Sequence, residues 1–135
     1  HLEYYSAEHR AAQIARIAQL RLEWLAERKR VDEEGPFRSQ PGAASTIVCG
    51  DFNLPPEDAL HAEIVALGFV DAWQALNPGA PHPPTFRVHD RDEGESPYCC
   101  DFVFVTPDLV PRLKSIRVVA ATQASDHQPV ILEIQ

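Results

Sequence analysis

Apolar positions along the chain fall into one helical stripe and a series of short runs. From Ser6 to Arg30, Ala11, Ile14, Ala18, Leu22 and Leu25 recur at spacings of three and four, and Ile17, Leu20 and Trp24 widen the stripe. The spacing predicts a long amphipathic helix that covers a sheet, with Ser6 as N-cap. Arg28, Lys29 and Arg30 lie in its last turn, where cations suit the helix dipole. Val31 to Ser45 contains Gly35, Pro36, Pro41 and Gly42 and predicts a mobile loop. Thr46 to Cys49 predicts a short buried strand that stops at Gly50, before a loop over Asp51 to Pro56. Glu57 to Leu67 predicts a second helix, with Leu60, Ile64 and Leu67 on one face and Gly68 past its end. Phe69 to Trp73 reads as a short extended piece. Pro78, Pro81, Pro83 and Pro84 then impose an irregular loop. A short strand over Thr85 to Val88 and a charged loop over His89 to Pro97 follow. Tyr98 to Val105 predicts a strong strand, Pro107 to Leu113 a turn or short helix, and Ser115 to Ala121 and Pro129 to Ile134 two further strands. Alternating strands and helices point to an α/β or α+β layered domain.

Composition narrows this picture modestly. The chain has 135 residues, 44% hydrophobic and 24% charged, the balance of a soluble globular domain. No apolar run approaches the length of a membrane span. The net charge of −8 opposes strong non-specific binding to nucleic acid. A carboxylate-rich metal site also adds negative charge, so a phosphate-bearing substrate stays compatible with it. Cys49, Cys99 and Cys100 do not form a disulfide framework, and they read as buried reduced thiols in strands. A cytoplasmic location is the expectation that follows. The chain opens on His1 and contains no Met, so translation is expected to start upstream.

The residues that carry chemistry stand at predicted strand ends. Asp51 and Asn53 follow the strand ending at Cys49, and Asp126 and His127 precede the last strand. Taken singly, each has an ordinary reading as a turn former, a loop carboxylate or a hydrogen-bonded histidine. Together they supply oxygen ligands for a hard cation and an imidazole that handles a proton. Asp101 lies inside the apolar run Cys99 to Val105, where a charge is costly to bury without a partner. A histidine is its natural partner, since an Asp–His pair fixes the tautomer and stabilises the imidazolium. His9, His61, His82 and His89 have no motif around them and read as surface or loop residues.

Gly50-Asp51-Phe52-Asn53, Cys100-Asp101-Phe102-Val103-Phe104 and Ser125-Asp126-His127-Gln128-Pro129-Val130 resemble, in order and spacing, the later motifs of the endonuclease/exonuclease/phosphatase superfamily. His1-Leu2, followed by Arg10 and Gln13 in a helix, is similar to that family's Asn-Thr-His-Leu strand end and the helix after it. The resemblance covers nearly the whole chain. It implies an α+β fold: half of a four-layer α/β-sandwich, with one mixed, mostly antiparallel sheet covered by helices on one face. Residues 1–135 would then be the C-terminal half of one domain. The N-terminal half, with its early Asn and a Glu that is a principal metal ligand, is absent upstream of His1.

The roles implied by the resemblance are specific. His127 would activate water or stabilise the phosphorane-like transition state, and Asp101 would orient it. Asp51 would position or deprotonate the attacking water, and Asn53 would hold a phosphate oxygen. Asp126 would lie on the metal side, with Mg²⁺ or Mn²⁺ as the ion, and His1 would contact the scissile phosphate. Either Asp51 or His127 could be the base. Trp73, Thr85 and Phe86 lie in segments that resemble loops near the substrate cleft.

The leading reading is a divalent-metal-dependent phosphoesterase acting as part of a longer enzyme. Its substrate would be a phosphate ester of nucleic acid, a lipid head group or a small molecule. The chain alone would be weakly active or inactive, and its exposed sheet would pack against the missing half or a second chain. The alternative is a non-catalytic interaction domain that keeps the fold. Retention of Asp51, Asn53, Asp101 and His127 speaks against that alternative.

Overall fold

The computed structural model describes residues 1–28, 45–90 and 96–135. Its first element, α1 (Ala7–Arg28), starts as predicted at Ser6, whose Oγ accepts from the His9 amide at 3.1 Å. Among the described residues of α1, Ile14 alone is fully buried, and Leu2 and Ile17 support it. The stripe is narrower in use than in sequence, because Leu22 is 67% and Trp24 39% exposed. In the second half of α1, Arg21 reaches the loop after the second helix. Its guanidinium donates to the Leu67 carbonyl at 3.0 Å and lies 4.9 Å over the Phe69 ring. Gly68 suits that contact: its φ of +88 favours glycine, and an added Cβ would stand 3.0 Å from the guanidinium.

The sheet centres on β3 (Asp101–Val105). It is flanked by β1 (Ile47–Asp51) and β2 (Val70–Asp71), both antiparallel to it. Phe102, Val103, Phe104 and Val105 are all buried, because both faces of β3 are covered. Phe102 and Phe104 pack with Ile14, Phe52, Leu54, Ile64 and Phe69 beneath the helices. Val103 and Val105 pack on the other side with Ala72 and Leu109. There a second antiparallel ladder, β4 (Leu113–Val118) with β5 (Val130–Ile134), adds Ile116, Val130 and Leu132. The architecture is α+β, with a helical layer on one face.

Several expectations shift in detail. The helix expected over Glu57 to Leu67 is α2 (Ala59–Ala66), capped by Asp58, whose carboxylate accepts from the Leu60 amide at 2.8 Å. The extended piece expected over Phe69 to Trp73 is cut short at Asp71. That residue caps a further helix, α3 (Ala72–Leu76), by accepting from the Trp73 amide at 2.8 Å. A 3₁₀ turn spans Pro107–Arg112. The strand expected over Thr85 to Val88 reduces to bridges from Phe86 to Tyr98 and to His127, since Arg87 turns the chain with φ 58.

β1 is not the buried strand expected. It is an edge strand, with Ile47 43% exposed and Cys49 exposed, so only Cys99 and Cys100 fit the reading of buried thiols. The predicted loop Val31 to Ser45, apart from Ser45, lies outside the described residues. The same holds for Lys29, Arg30 and positions 91–95.

Candidate active site

Antiparallel pairing sets Asp51, the last residue of β1, directly opposite Asp101, the first of β3. Two carboxylates thereby meet at one end of the sheet. Beyond Asp51 the chain turns sharply, and Asn53 takes φ 52, a conformation Asn tolerates better than most side chains. The Asn53 amide donates to Asp51 Oδ1 at 2.8 Å, so the Asp–Asn step forms its own turn. Asn53 Nδ2 donates to the Leu2 carbonyl at 2.7 Å, and the Leu2 amide donates to the Asp51 carbonyl at 2.8 Å. These two bonds tie the N-terminal segment to the sheet end and bring His1 to the site. They also engage one amide hydrogen of Asn53 in holding the chain.

His127 arrives from the turn before β5. Its Nδ1 is 2.9 Å from Asp101 Oδ2, as the charge-in-strand argument anticipates. Thr85 fixes the carboxylate: its Oγ1 donates to the same Oδ2 at 2.7 Å and accepts from the Cys100 and Asp101 amides, each at 3.1 Å. Thr85 is 1% exposed, and its carbonyl accepts from the Gln128 amide, so it clamps both sides of the pair. The His127 ring packs on Phe86 at 4.7 Å, and the His127 amide donates to Ser125 Oγ at 3.1 Å. Burial pulls the His127 imidazole down. The hydrogen bond and charge of Asp101, with the carboxylates of Asp51 and Asp126, outweigh this and raise its pKa above the ordinary histidine value.

A cavity of about 240 Å³ opens over this end of the sheet, lined by His1, Asp51, Asn53, Asp126 and His127 together with Tyr4, Phe86, Tyr98 and Cys100. Of the six predicted site residues, five line the cavity and Asp101 stands behind His127. Sequence reasoning missed Cys100 as a wall of the site, although its place beside Asp101 in the strand was the available signal. Thr85 was noticed only as a neighbour of the cleft. Ligand atoms of Asp51, Cys100 and His127 lie within 4.8 Å of one another; Asp126 is outside that group and accepts from Ser125 Oγ at 3.2 Å. Burial, then the carboxylates of Asp101 and Asp51, push the Cys100 thiol far up, so it stays protonated.

A second Asp–His grouping corrects the reading of His61 and His82 as surface or loop residues. Asp71 Oδ2 lies 2.9 Å from His61 Nε2 and 2.8 Å from His82 Nε2. The side chains are 2%, 5% and 7% exposed for Asp71, His61 and His82. Burial alone would raise the Asp71 carboxyl, but hydrogen bonds from the two histidines, the charge of His82 and the Trp73 amide hold it well below the usual carboxylate range. His9 and His89 are exposed, as expected.

An Asp–His pair and an Asp–Asn turn, joined at the open end of a sheet sandwiched between helices and a second ladder, define an α+β domain with a polar cavity at one sheet end. The chain belongs to the endonuclease/exonuclease/phosphatase family, whose model matches residues 6–127. Among solved structures, the chain is similar to the 3′ phosphatase NExo from Neisseria bound to product DNA hairpin, with 18% identity and a TM-score of 0.62. That match covers 90% of this chain and 51% of the other. An AP endonuclease from Archaeoglobus fulgidus is also similar, with 22% identity, a TM-score of 0.55, and 87% of this chain and 54% of the other covered. The chain thus spans about half the length of these two structures. Comparison with curated protein sequences gives no significant match.

Proposed function

We propose that this chain carries the Asp–His half of the active site of a metal-dependent phosphoester hydrolase. The observation that carries the reading is the Asp101–His127 pair opening onto one cavity with Asp51 and Asn53. With Nδ1 facing Asp101, His127 is set to exchange protons through Nε2, and Asp101 stabilises the imidazolium so formed. Asp51 faces the same space and can orient or deprotonate a water. The second amide hydrogen of Asn53 and the ring of His1 are the groups for phosphate oxygens.

The donor set at this end of the sheet fits a hard divalent cation: Asp51 and Asp126 offer carboxylates in an open cavity, and Mg²⁺ is commonly held by one or two carboxylates plus water and substrate oxygens. Mg²⁺ or Mn²⁺ bound there would neutralise developing charge on the phosphoryl group. A phosphate ester of nucleic acid is the substrate class we favour, supported by the DNA named for the similar Neisseria phosphatase.

The remaining half of the domain, or a second chain, is read as packing against β1. The exposed Ile47 supports this, as does the roughly 320 Å³ groove that Ile17, Leu20, Trp24, Val48 and Phe69 form beside it. The test is Mg²⁺-dependent release of phosphate from a 3′-phosphorylated oligonucleotide, and of product from a chromogenic phosphodiester. It is run on this chain and on a longer protein that includes the upstream half. Hydrolysis by the longer protein, stopped by EDTA and by His127→Ala, is expected. Full retention of hydrolysis in His127→Ala would end the reading.

A further inference from the structure

Cys100 lines the cavity and carries a metal-binding atom, yet has no task in the hydrolytic reading. It is 1% exposed, its Sγ is 3.5 Å from Asp101 Oδ2 and 4.0 Å from His127 Nδ1, and it lies within 4.8 Å of an Asp51 carboxylate oxygen. We propose that Asp51, Cys100 and His127 form a binding site for a thiophilic divalent cation, Zn²⁺ foremost, and that filling it shuts the catalytic cavity.

The geometry is close to what such an ion needs. The three ligand atoms lie within 4.8 Å of one another. Tetrahedral zinc, with bonds of about 2.0–2.3 Å, spaces its ligands by about 3.3–3.8 Å, so closure by about an ångström suffices. The donor chemistry decides which ion. Mg²⁺ takes oxygen ligands, whereas a thiolate with an imidazole and one carboxylate selects Zn²⁺, Co²⁺ or Cd²⁺. The surrounding charge agrees: Asp101 stands beside Cys100, and Asp126 lines the same cavity, so a dication enters a negative field. On binding, the Cys100 S–H bond breaks, its proton leaves to solvent and the sulfur–metal bond forms. The opening of the cavity leaves a further position for water.

The buried grouping of His61, Asp71 and His82 also has ligand atoms within reach of one another. There both imidazoles turn Nε2 to a single carboxylate oxygen, and the grouping holds no thiol to select a thiophilic ion. The binding claim stands on Cys100 and its neighbours alone. The inhibitory consequence rests on the hydrolytic reading above.

Co²⁺ separates the possibilities because thiolate coordination adds a near-ultraviolet sulfur-to-cobalt charge-transfer band. Titration of this chain with Co²⁺ is expected to give that band at one equivalent, with Zn²⁺ displacing it. Cys100→Ser should abolish the band, and His127→Gln should weaken Co²⁺ affinity by about tenfold or more. Cys49→Ser and His61→Gln should leave it in place. A spectrum without the sulfur band, or a band that survives Cys100→Ser, overturns the site. Should Cys100→Ser lose its fold by circular dichroism, unchanged Co²⁺ affinity in His127→Gln overturns it instead. In the longer protein with excess Mg²⁺, Zn²⁺ should block hydrolysis. Cys100→Ser, measured against its own zinc-free rate, should need about tenfold more. Absence of any hydrolysis would count against the proposed function and leave the cobalt result standing.

Discussion

Among the described residues, two Asp–His groupings differ in one respect above all, their access to water. Asp101 and His127 keep 17% and 32% of their side chains exposed, whereas Asp71, His61 and His82 keep 2%, 5% and 7%. The bond lengths are nearly the same, at 2.8–2.9 Å. In the open pair one histidine meets one carboxylate and keeps a nitrogen for other work. In the closed trio two histidines converge on a single oxygen, while the other oxygen of Asp71 caps α3. The trio joins α2, the start of α3 and the proline-rich loop carrying His82, so its role is to hold these segments together. Ligand chemistry alone does not separate the two groupings; an unfilled valence that faces a cavity does.

Breaking the open pair should have the largest effect. His127→Ala in the longer protein is expected to lower kcat by about 10²–10⁴-fold, the span of lost acid–base assistance, with little change in melting temperature. His61→Ala should do the reverse, leaving kcat within about threefold while costing about 1–3 kcal/mol of stability. A loss of kcat in His61→Ala as large as that in His127→Ala would erase the distinction.

Removing the shared carboxylate of the closed trio comes next. Asp71→Ala strands two buried imidazoles and uncaps α3, and should cost about 3–5 kcal/mol by chemical denaturation. The sign of its pH dependence follows from the lowered Asp71 pKa. The stability it contributes is fully present above the usual carboxylate range and is lost as the pH falls through that range toward the folded-state value. Asp71→Ala should therefore flatten the acid limb of the stability profile, and an unchanged limb would contradict the assignment.

Thr85 offers a smaller and more specific perturbation. Thr85→Val keeps the shape but removes the hydroxyl that bonds the Asp101 carboxylate, for a cost of about 1.5–3 kcal/mol, while Thr85→Ser should restore most of it. Equal behaviour of Val and Ser would show that only packing matters there. The smallest effect is spectroscopic. Asp101→Asn removes the main group that raises His127, so its ring should titrate at lower pH by NMR. In the native chain the pair's contribution is fully present below the unfolded histidine pKa and fades as pH rises through the raised folded value.

Much of this was readable in the chain. Alternating elements and the Phe-Val-Phe-Val core of β3 announce an α+β layered sheet, and a lone Asp inside that run asks for a histidine, which His127 supplies. Periodicity overstated the burial of α1 and of β1, because an apolar stripe records what a surface can bury and not whether a neighbour is there to cover it. The closed trio was illegible for a different reason. His61 and Asp71 are ten positions apart and His82 eleven beyond Asp71, on three separate elements, with no spacing rule that links a helix face, a cap and a loop. Thr85 escaped assignment because its function is carried by a hydroxyl placed by two backbone amides, a feature of geometry and not of composition.

The exposure of Cys49 on the edge strand has a practical consequence. Cys99 and Cys100 are buried, so Cys49 is the thiol that a bulky alkylating reagent can reach in the folded chain. It lines the same groove as Trp24 and Ile47. Its labelling rate is therefore a built-in gauge of occupancy for that face: fast while β1 stands bare, and slowed in proportion to the fraction of molecules in which another surface has closed over it.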